Sequence, residues 1–334
     1  MFSSRNLRLV LAALVGICVG PLIGNFGAHA LGQRLCSDVT TCTLWVSLSG
    51  DDSNNGLSAD TPFRTLQRAN DLLCAQTLLR RCAGIGKPVR VTIAPGTYSY
   101  TSTTWTYSDP NYATQIVGPD VVMDGRHSTD WGMHIAPRND RSNIRLLHIR
   151  WTRYLRGGVI IQGGGNNRVY RNKFTRLGSY YSKKPGTPAY AGVYLFDNQD
   201  TSIEKSVFID ILNSRDGGYG HEHGVYITNS TNNRVTDSTF SNVGGDAIRL
   251  RDAANHNTIS GSSFTNTGRK AYISDWRCVS SADRTCEDPN ETPSWYNSFT
   301  DNVLRGPHPW HFSGFTARYC YDLAARCPSQ RIAG

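Results

Sequence analysis

From residue 158 onward the chain repeats one hydrophobic pattern, a small residue followed by a short alternating strand. Gly158-Val159-Ile160-Ile161, Gly192-Val193-Tyr194-Leu195, Gly224-Val225-Tyr226-Ile227, Ala247-Ile248-Arg249-Leu250 and Ala271-Tyr272-Ile273-Ser274 can be laid on one another. A second strand follows each at a similar offset: Asn167 to Phe174, Ile203 to Phe208, Asn233 to Phe240, Asn257 to Phe264 and Tyr296 to Phe299. The closing phenylalanines recur at steps of 34, 32, 24 and 35 residues. One such unit cannot bury its apolar side chains alone, whereas stacked units bury Val on Val and Phe on Phe in one long core. The shortest step reads as a bare coil and the longer ones as the same coil carrying a loop. Asn166-Asn167, Asn232-Asn233 and Asn255 with Asn257 mark corners, because asparagine tolerates left-handed backbone and bonds its own main chain. The pattern predicts an all-β solenoid, a parallel β-helix. A β-sandwich is the rival reading, but it predicts hairpin turns and no ladder.

The flanks read differently. Pro62 to Leu73 has apolar residues at helical spacing, with Thr61 as N-cap and Pro62 at the first helical position, and predicts an N-terminal capping helix. Val89-Arg90-Val91-Thr92-Ile93 alternates as a strand and stops at Pro95-Gly96. After about Gly306 the repeat is lost. At the start, Arg5 and Arg8 precede an apolar run from Leu9 to about Ile23, and Ala28-His29-Ala30 supplies small residues for cleavage, so residues 1–30 read as a signal peptide. An uncleaved anchor is the competing reading, but Gly16, Gly20 and Pro21 interrupt a run already short for a span. The expected organisation is a signal peptide at 1–30 and a single domain at 31–334. Within that domain an N-terminal cap covers about 36–88, coils about 89–305 and a C-terminal cap about 306–334. No later stretch has the length and apolarity of a membrane span, and a secreted monomer is expected.

Of nine cysteines, Cys18 falls in the leader. The other eight form close pairs: Cys36 with Cys42, Cys74 with Cys82, Cys278 with Cys286, and Cys320 with Cys327. An even count in an exported chain points to disulfides, neighbour pairing being the simplest connectivity. Zinc is the alternative, but no pair has Cys-x-x-Cys spacing. The formal net charge of +9 falls to +7 without Arg5 and Arg8, the leader's only Lys, Arg, Asp or Glu. A basic exported chain suits an acidic partner such as a uronic-acid polymer, an anionic cell wall or nucleic acid. The Arg and Lys residues are spread without a recognisable nucleic-acid module.

Trp45 to Gly56, then Thr61-Pro62-Phe63-Arg64-Thr65-Leu66-Gln67-Arg68-Ala69, resembles the opening of many pectate-lyase-like β-helix proteins. Ile93-Ala94-Pro95-Gly96-Thr97-Tyr98 is similar to the first-coil phrase of that superfamily. The resemblance runs from Trp45 to about Leu304 and implies a right-handed parallel β-helix with polysaccharide as partner. It does not select an activity, since the superfamily includes polysaccharide lyases, uronan epimerases, glycosidases, phage depolymerases and non-catalytic members.

Laying the coils in register turns the sequence into a surface grid. With Val225 and Ile227 or Ile248 and Leu250 inward, one outward column reads Tyr194, Tyr226, Arg249 and the next Phe196, Thr228, Arg251, Asp275. Aromatics offer apolar faces to sugar rings and arginine forks match carboxylates. Beside the grid, Gly218-Tyr219-Gly220-His221-Glu222-His223 precedes the third strand, and His223, Asp246 and Lys270 stand at equivalent positions. This set supplies what elimination from a uronan requires: a cation for the carboxylate, a base for the C5 proton and an acid for the leaving oxygen. Arg249 and Arg251 are read as carboxylate binders, His223 or Tyr226 as base or acid, and Asp246 as the group orienting or charging the histidine. Tyr194, Phe196, Tyr219, His221, Lys270 and Asp275 are read as substrate-binding.

Blander readings remain beside each of these. His223 sits as well in a polar corner, the arginines pair as well in a surface ladder with Asp246, Asp252 or Asp275, and Tyr194 and Tyr226 are ordinary strand formers. His221 and His223 share one face and form a possible metal pair, but no third strong ligand is evident. No cofactor is expected, and Ca2+ or another metal has no support in the residues. The epimerase Asp-Pro-His motif is absent, as are the dense Asp set of calcium-dependent pectate lyases and the paired-Asp motifs of β-helix glycosidases. Asp246, Asp275 and Glu222 keep hydrolysis open. The preferred reading is an enzyme, a secreted protein acting on an acidic polysaccharide or cell-wall glycan by lyase-type β-elimination. A non-catalytic glycan-binding or surface module is the alternative from another class, with glycoside hydrolase or uronan epimerase as alternative enzymes.

Overall fold

The structure is a computed structural model that describes residues 36–75, 82, 84–137, 140–181, 190–214, 221–268, 271–276, 291–306 and 312–314. The expected signal peptide at 1–30, Cys278, Cys286, Cys320, Cys327 and most of the expected C-terminal cap fall outside the described residues.

The strands stack as a right-handed parallel β-helix with three faces per coil. One face is an 8-stranded sheet that includes Trp131–Ile135, Gly157–Gln162, Ala191–Phe196, His223–Thr228, Ile248–Arg251 and Ile273–Trp276. The other two faces join into a 15-stranded sheet, because Thr114–Asp124 and Ile144–Thr152 run through the corner between them. Strands pair in parallel with the coil before and the coil after, as in Ala191–Phe196 between Gly157–Gln162 and His223–Thr228. No hairpin pairing is found among the named strands, so the sandwich alternative falls.

Side-chain alternation sorts each strand. Val159, Val193, Val225, Ile248 and Ile273 form one inward column, and Ile161, Leu195, Ile227 and Leu250 another, all fully buried. Opposite them Phe174, Phe208, Phe240 and Phe264 stack ring on ring, with centroids 4.9, 4.7 and 4.9 Å apart and planes within 8°. The small residue before each strand has a packing cause. A Cβ on Gly158, Gly192 or Gly224 would come within 2.5, 2.7 or 2.6 Å of the ring of Phe174, Phe208 or Phe240, respectively. The repeat unit is therefore a phenylalanine lying against a glycine.

The corners are closed by hydrogen bonds from polar side chains to the next coil. Backbone N–H groups of Ile144, Thr201, Asn233 and Asn257 donate to the amide oxygens of Asn167, Asn233, Asn257 and Asn297 at 2.8–3.0 Å. Before Asn167, Thr201, Asn233, Asn257 and Asn297, the residues Asn166, Asp200, Asn232, His256 and Tyr296 adopt φ of 52–57°. That left-handed step turns the chain, and asparagine and aspartate occupy three of the five positions, as their tolerance of it predicts. Buried N–H groups are thus satisfied where sheet pairing stops.

Three sequence expectations change. The run from Asn167 to Phe174 is two strands, Arg168–Tyr170 and Lys173–Leu177, on different faces, turned apart at Arg171 with φ 52°. Phe299 consequently pairs with Ile259, and the phenylalanine column ends in Leu304, which pairs with Phe264. The helix is Leu66–Ala75, not Pro62 to Leu73. Its N-cap is Thr65, whose hydroxyl accepts the Arg68 N–H at 3.1 Å, while Phe63 bridges Val46 and enters the core. The proline motif belongs to the approach, and the capping signal lies four residues on. Cys36 is bonded to Cys42 and Cys74 to Cys82. Among the described residues no helix is long and apolar enough to cross a membrane.

Phe240 has a ring on each side, so Phe240→Ala should cost about 3–5 kcal/mol in denaturant unfolding. Gly224→Ala should cost about 1–3 kcal/mol, because the ring it strikes is itself sandwiched and cannot yield.

Candidate functional site on the eight-stranded sheet

The outward side of the eight-stranded sheet carries the predicted side chains. Tyr194 pairs with Tyr226 and Tyr226 with Arg249, as expected, while Phe196, Thr228 and Arg251 form the neighbouring column. The next strand is one residue out of the expected register. Ile248 pairs with Ile273 and Arg249 with Ser274, so Leu250 pairs with Asp275 and Arg251 with Trp276. Asp275 therefore turns to the core side, where it is buried and accepts the Ser294 hydroxyl at 2.9 Å. A one-residue shift exchanges the two faces of a strand. The cause is Tyr272, which occupies the position of Gly158, Gly192, Gly224 and Ala247 and packs its ring 5.9 Å from Phe264. Matching Ala271 to Ala247 by size concealed this.

The aromatic side chains stack on one another. Tyr194 lies 4.9 Å from Tyr226 with planes 15° apart and 5.9 Å from Tyr190 with planes 3° apart, and Trp131 stacks 6.1 Å from Tyr190. Phe196 tilts against Tyr194 at 6.0 Å. Ring faces between neighbours are used up by this stacking, so the row presents ring edges and hydroxyls rather than the open faces first expected. Burial pushes the Tyr194 phenol up to about 12, and it stays a hydrogen-bond donor across the neutral range.

The polar groups meet beside this row. Arg249 donates to the Asp246 carboxylate at 2.9 Å, and the other Asp246 oxygen accepts the Ala271 N–H at 3.0 Å. His223 Nδ1 donates to the Asp246 carbonyl at 2.7 Å, leaving Nε2 as the nitrogen able to take a proton. Asp246 thus binds the histidine through its main-chain carbonyl, and its carboxylate charge favours the imidazolium. The His223 ring is 5.4 Å from Tyr226. Burial, followed by the charge of Arg249, depresses the imidazole to about 3, so it is neutral at pH 7. Arg251 donates from Nε to Glu291 at 2.9 Å and from Nη1 to the Tyr226 hydroxyl at 3.2 Å, and lies 4.5 Å over the Trp276 ring. Both arginines therefore already have a carboxylate partner. Arg249 Nε and the neighbouring Ser274 hydroxyl are nonetheless buried and, among the described residues, without a hydrogen-bond partner.

Glu222 sits at the entry to the histidine strand, fully buried with neither carboxyl oxygen partnered among the described residues, and burial holds its carboxyl well above the usual range. His221 is exposed. Tyr219 and Lys270 lie outside the described residues. Among the described residues no group of three or more His, Cys, Asp or Glu side chains is arranged to hold a metal ion.

The sequence reading missed Trp131, Tyr190, Trp276 and Glu291. Trp131 was within reach, since Gly132-Met133-His134-Ile135 repeats the small-then-alternating pattern one coil earlier. Trp276 follows from the corrected register. Glu291 comes from 40 residues away in sequence and left no local signal.

Residues 118–264 match the family described as "Right handed beta helix region". The match agrees with the parallel β-helix fold of the chain. No curated protein matches it in sequence. Among solved structures it is similar to an alginate lyase from Paenibacillus sp. str. FPU-7, with 11% identity, a TM-score of 0.47, and coverage of 83% of this chain and 99% of that one. A rhamnogalacturonan lyase shares 14% identity at a TM-score of 0.35, covering 81% and 84%. The Azotobacter vinelandii mannuronan C-5 epimerase AlgE4 A-module shares 11% at 0.29, covering 80% and 95%. Values this low say nothing of the activity of this β-helix.

Glu222 and His223 give opposite pH signatures. The raised Glu222 carboxyl means stability is present below the unfolded pKa, near 4.5, and is lost as pH rises toward the folded value. Glu222→Gln should therefore raise Tm at pH 7–8 and change it little at pH 4. The depressed His223 means stability is present above about 6.5 and lost as pH falls toward 3, so His223→Asn should flatten that acid limb in thermal melts.

Proposed function

We propose that this protein is exported and binds an acidic polysaccharide along the outward face of its eight-stranded sheet, cleaving it by β-elimination beside Tyr226. The observation that carries this reading is Arg249 Nε, buried and, among the described residues, without an acceptor, on the strand next to Tyr226 and His223. A buried unpaired donor costs about 1–3 kcal/mol, and a substrate carboxylate is a ligand that would satisfy it. The leader at 1–30 and the two disulfides support export, and the net charge supports an acidic partner.

In this reading a uronate carboxylate docks at Arg249, acidifying the C5–H bond. His223 Nε2 takes the C5 proton, the C4–O4 bond breaks as C4=C5 forms, and Tyr226 gives its hydroxyl proton to the departing oxygen. Arg251 positions Tyr226: it donates to the oxygen and so leaves the phenolic proton to point at a ligand. The depressed histidine is a weak base in the free protein. A bound carboxylate offsets the charge of Arg249 that helps to depress it, and so raises its proton affinity when substrate is present.

A second reading, non-catalytic glycan binding, is favoured by the pairing of Arg249 with Asp246 and of Arg251 with Glu291, which leaves less free charge for an anionic intermediate. Incubation with a panel of uronic-acid polymers, following unsaturated product by absorbance, separates the two. Tyr226→Phe and His223→Asn should each lower the rate by about 10²-fold or more, the usual scale of acid–base catalysis. Binding without product from any polymer would favour the second reading and overturn elimination.

A further inference from the structure

We propose that the protein carries a second, separate glycan-binding site, a groove on the face of the Arg168–Tyr170, Ser202–Glu204, Arg234–Thr236 and Thr258–Ser260 strands that takes a carboxylated sugar chain. The groove has a volume of about 640 Å³ and is lined by Arg145, Asn166, Arg168, Asn232, Arg234 and His256 among others. None of these belongs to the eight-stranded sheet, and the inference does not depend on elimination occurring there.

The groove follows from register. Arg145 pairs with Arg168, Arg168 with Ser202, Ser202 with Arg234, and Arg234 with Thr258. Arginines thus stand at three levels, with Ser202 between Arg168 and Arg234 and Thr258 after them, leaving a trough along the coil axis. Its rim is the left-handed corner, where Asn166, Asn232 and His256 have φ of 56–57°. His256 is fixed there by stacking on Tyr296, 4.8 Å away with planes 9° apart.

The charges in the trough are incompletely matched. Arg168 is bound by Glu204, with Nε 3.2 Å from the carboxylate, and its guanidinium lies 4.3 Å over the Tyr170 ring. Burial pushes the Glu204 carboxyl up, but the hydrogen bonds from Arg168 and Ser202 and the charges of Arg168 and Lys205 together outweigh it, and the net shift is down. Arg145 donates to the Asn166 carbonyl and, among the described residues, has no ion-pair partner. Its guanidinium is held below its ordinary value by burial and then by the positive charge of Arg168. Arg234 is exposed and, among the described residues, has no ion-pair partner. Asp200 on the rim is the other acid lining the groove. Two guanidiniums without a carboxylate and one shared with Glu204 leave room for anions.

The spacing selects the kind of anion. Arg168 and Arg234 are two strand spacings apart, about 9.6 Å, along a straight trough with Ser202 between them. A small anion would engage one level only. An extended polyuronate engages both through the carboxylates of alternate residues, with Asn232, Ser202 and Thr236 available to its hydroxyls. A planar guanidinium fork is suited to each carboxylate.

The test is calorimetric titration of the full chain with a galacturonate hexamer, a mannuronate hexamer and a neutral glucan hexamer. Wild type, Arg234→Glu, Arg145→Gln and the outward-face variant Arg249→Ala are compared, and near-UV circular dichroism checks folding. At least one uronate hexamer should bind wild type, and Arg234→Glu should weaken an event that Arg249→Ala retains by about tenfold or more. Arg145→Gln should weaken the same event, and the glucan should not bind there. No uronate binding, an event insensitive to Arg234→Glu, or equal binding of the glucan would each overturn the proposal. A lyase activity lost in Arg249→Ala but kept in Arg234→Glu would further separate the two faces.

Discussion

The close approach of a phenylalanine ring to a glycine Cα, repeated coil after coil, is the constraint on which the rest of this molecule rests. The rings of Phe174, Phe208 and Phe240 fill the volume that a side chain at Gly158, Gly192 and Gly224 would need. That contact locks each strand of the eight-stranded sheet to the face opposite it. Register is a discrete choice in a strand, one residue being the difference between core and surface. The ladder inside therefore decides which side chains appear outside, and Tyr226 stands beside Arg249 because Gly224 stands beside Ala247.

The fold was legible because its cause repeats. Five copies of a small residue followed by an alternating strand announce a stack whatever loops intervene, and the asparagine corners give the turns a mechanism. What was misread failed for a related reason. Phe299 was matched to the phenylalanine column by identity, although Leu304 holds that place. Ala271 was matched to Ala247 by size, although Tyr272 holds that one. At the end of a ladder the residue type changes while the position persists, so similarity of side chains misleads where hydrogen-bond register does not. The site was legible only in part. Tyr194, Tyr226, Arg249 and His223 gather as their columns imply, but Glu291 reaches Arg251 across 40 residues. Long-range partners leave no periodic trace.

The outward face also shows how a solenoid divides its labour. Inside, every contact repeats and no single coil is special. Outside, the aromatic row from Trp131 to Tyr226 gives way to ion pairs over two coils, and the change in chemistry along the axis takes place with almost no change in backbone. Arg249 and Arg251 differ in kind despite being neighbours: one leans on its own strand through Asp246, while the other is held from afar by Glu291, Tyr226 and Trp276. The first answers to the local coil, the second to how a distant segment is placed.

Tyr272 and Leu304 show what this core conserves. Through three coils a glycine faces a phenylalanine, in the fourth Ala247 accompanies Phe264, and in the last a tyrosine enters the small column as leucine enters the large one. Bulk passes from one wall to the other. Such a core is specified by sums rather than by individual residues. Transplanting a coil into another solenoid, or lengthening this one, would succeed with the two positions moved together and fail with either moved alone.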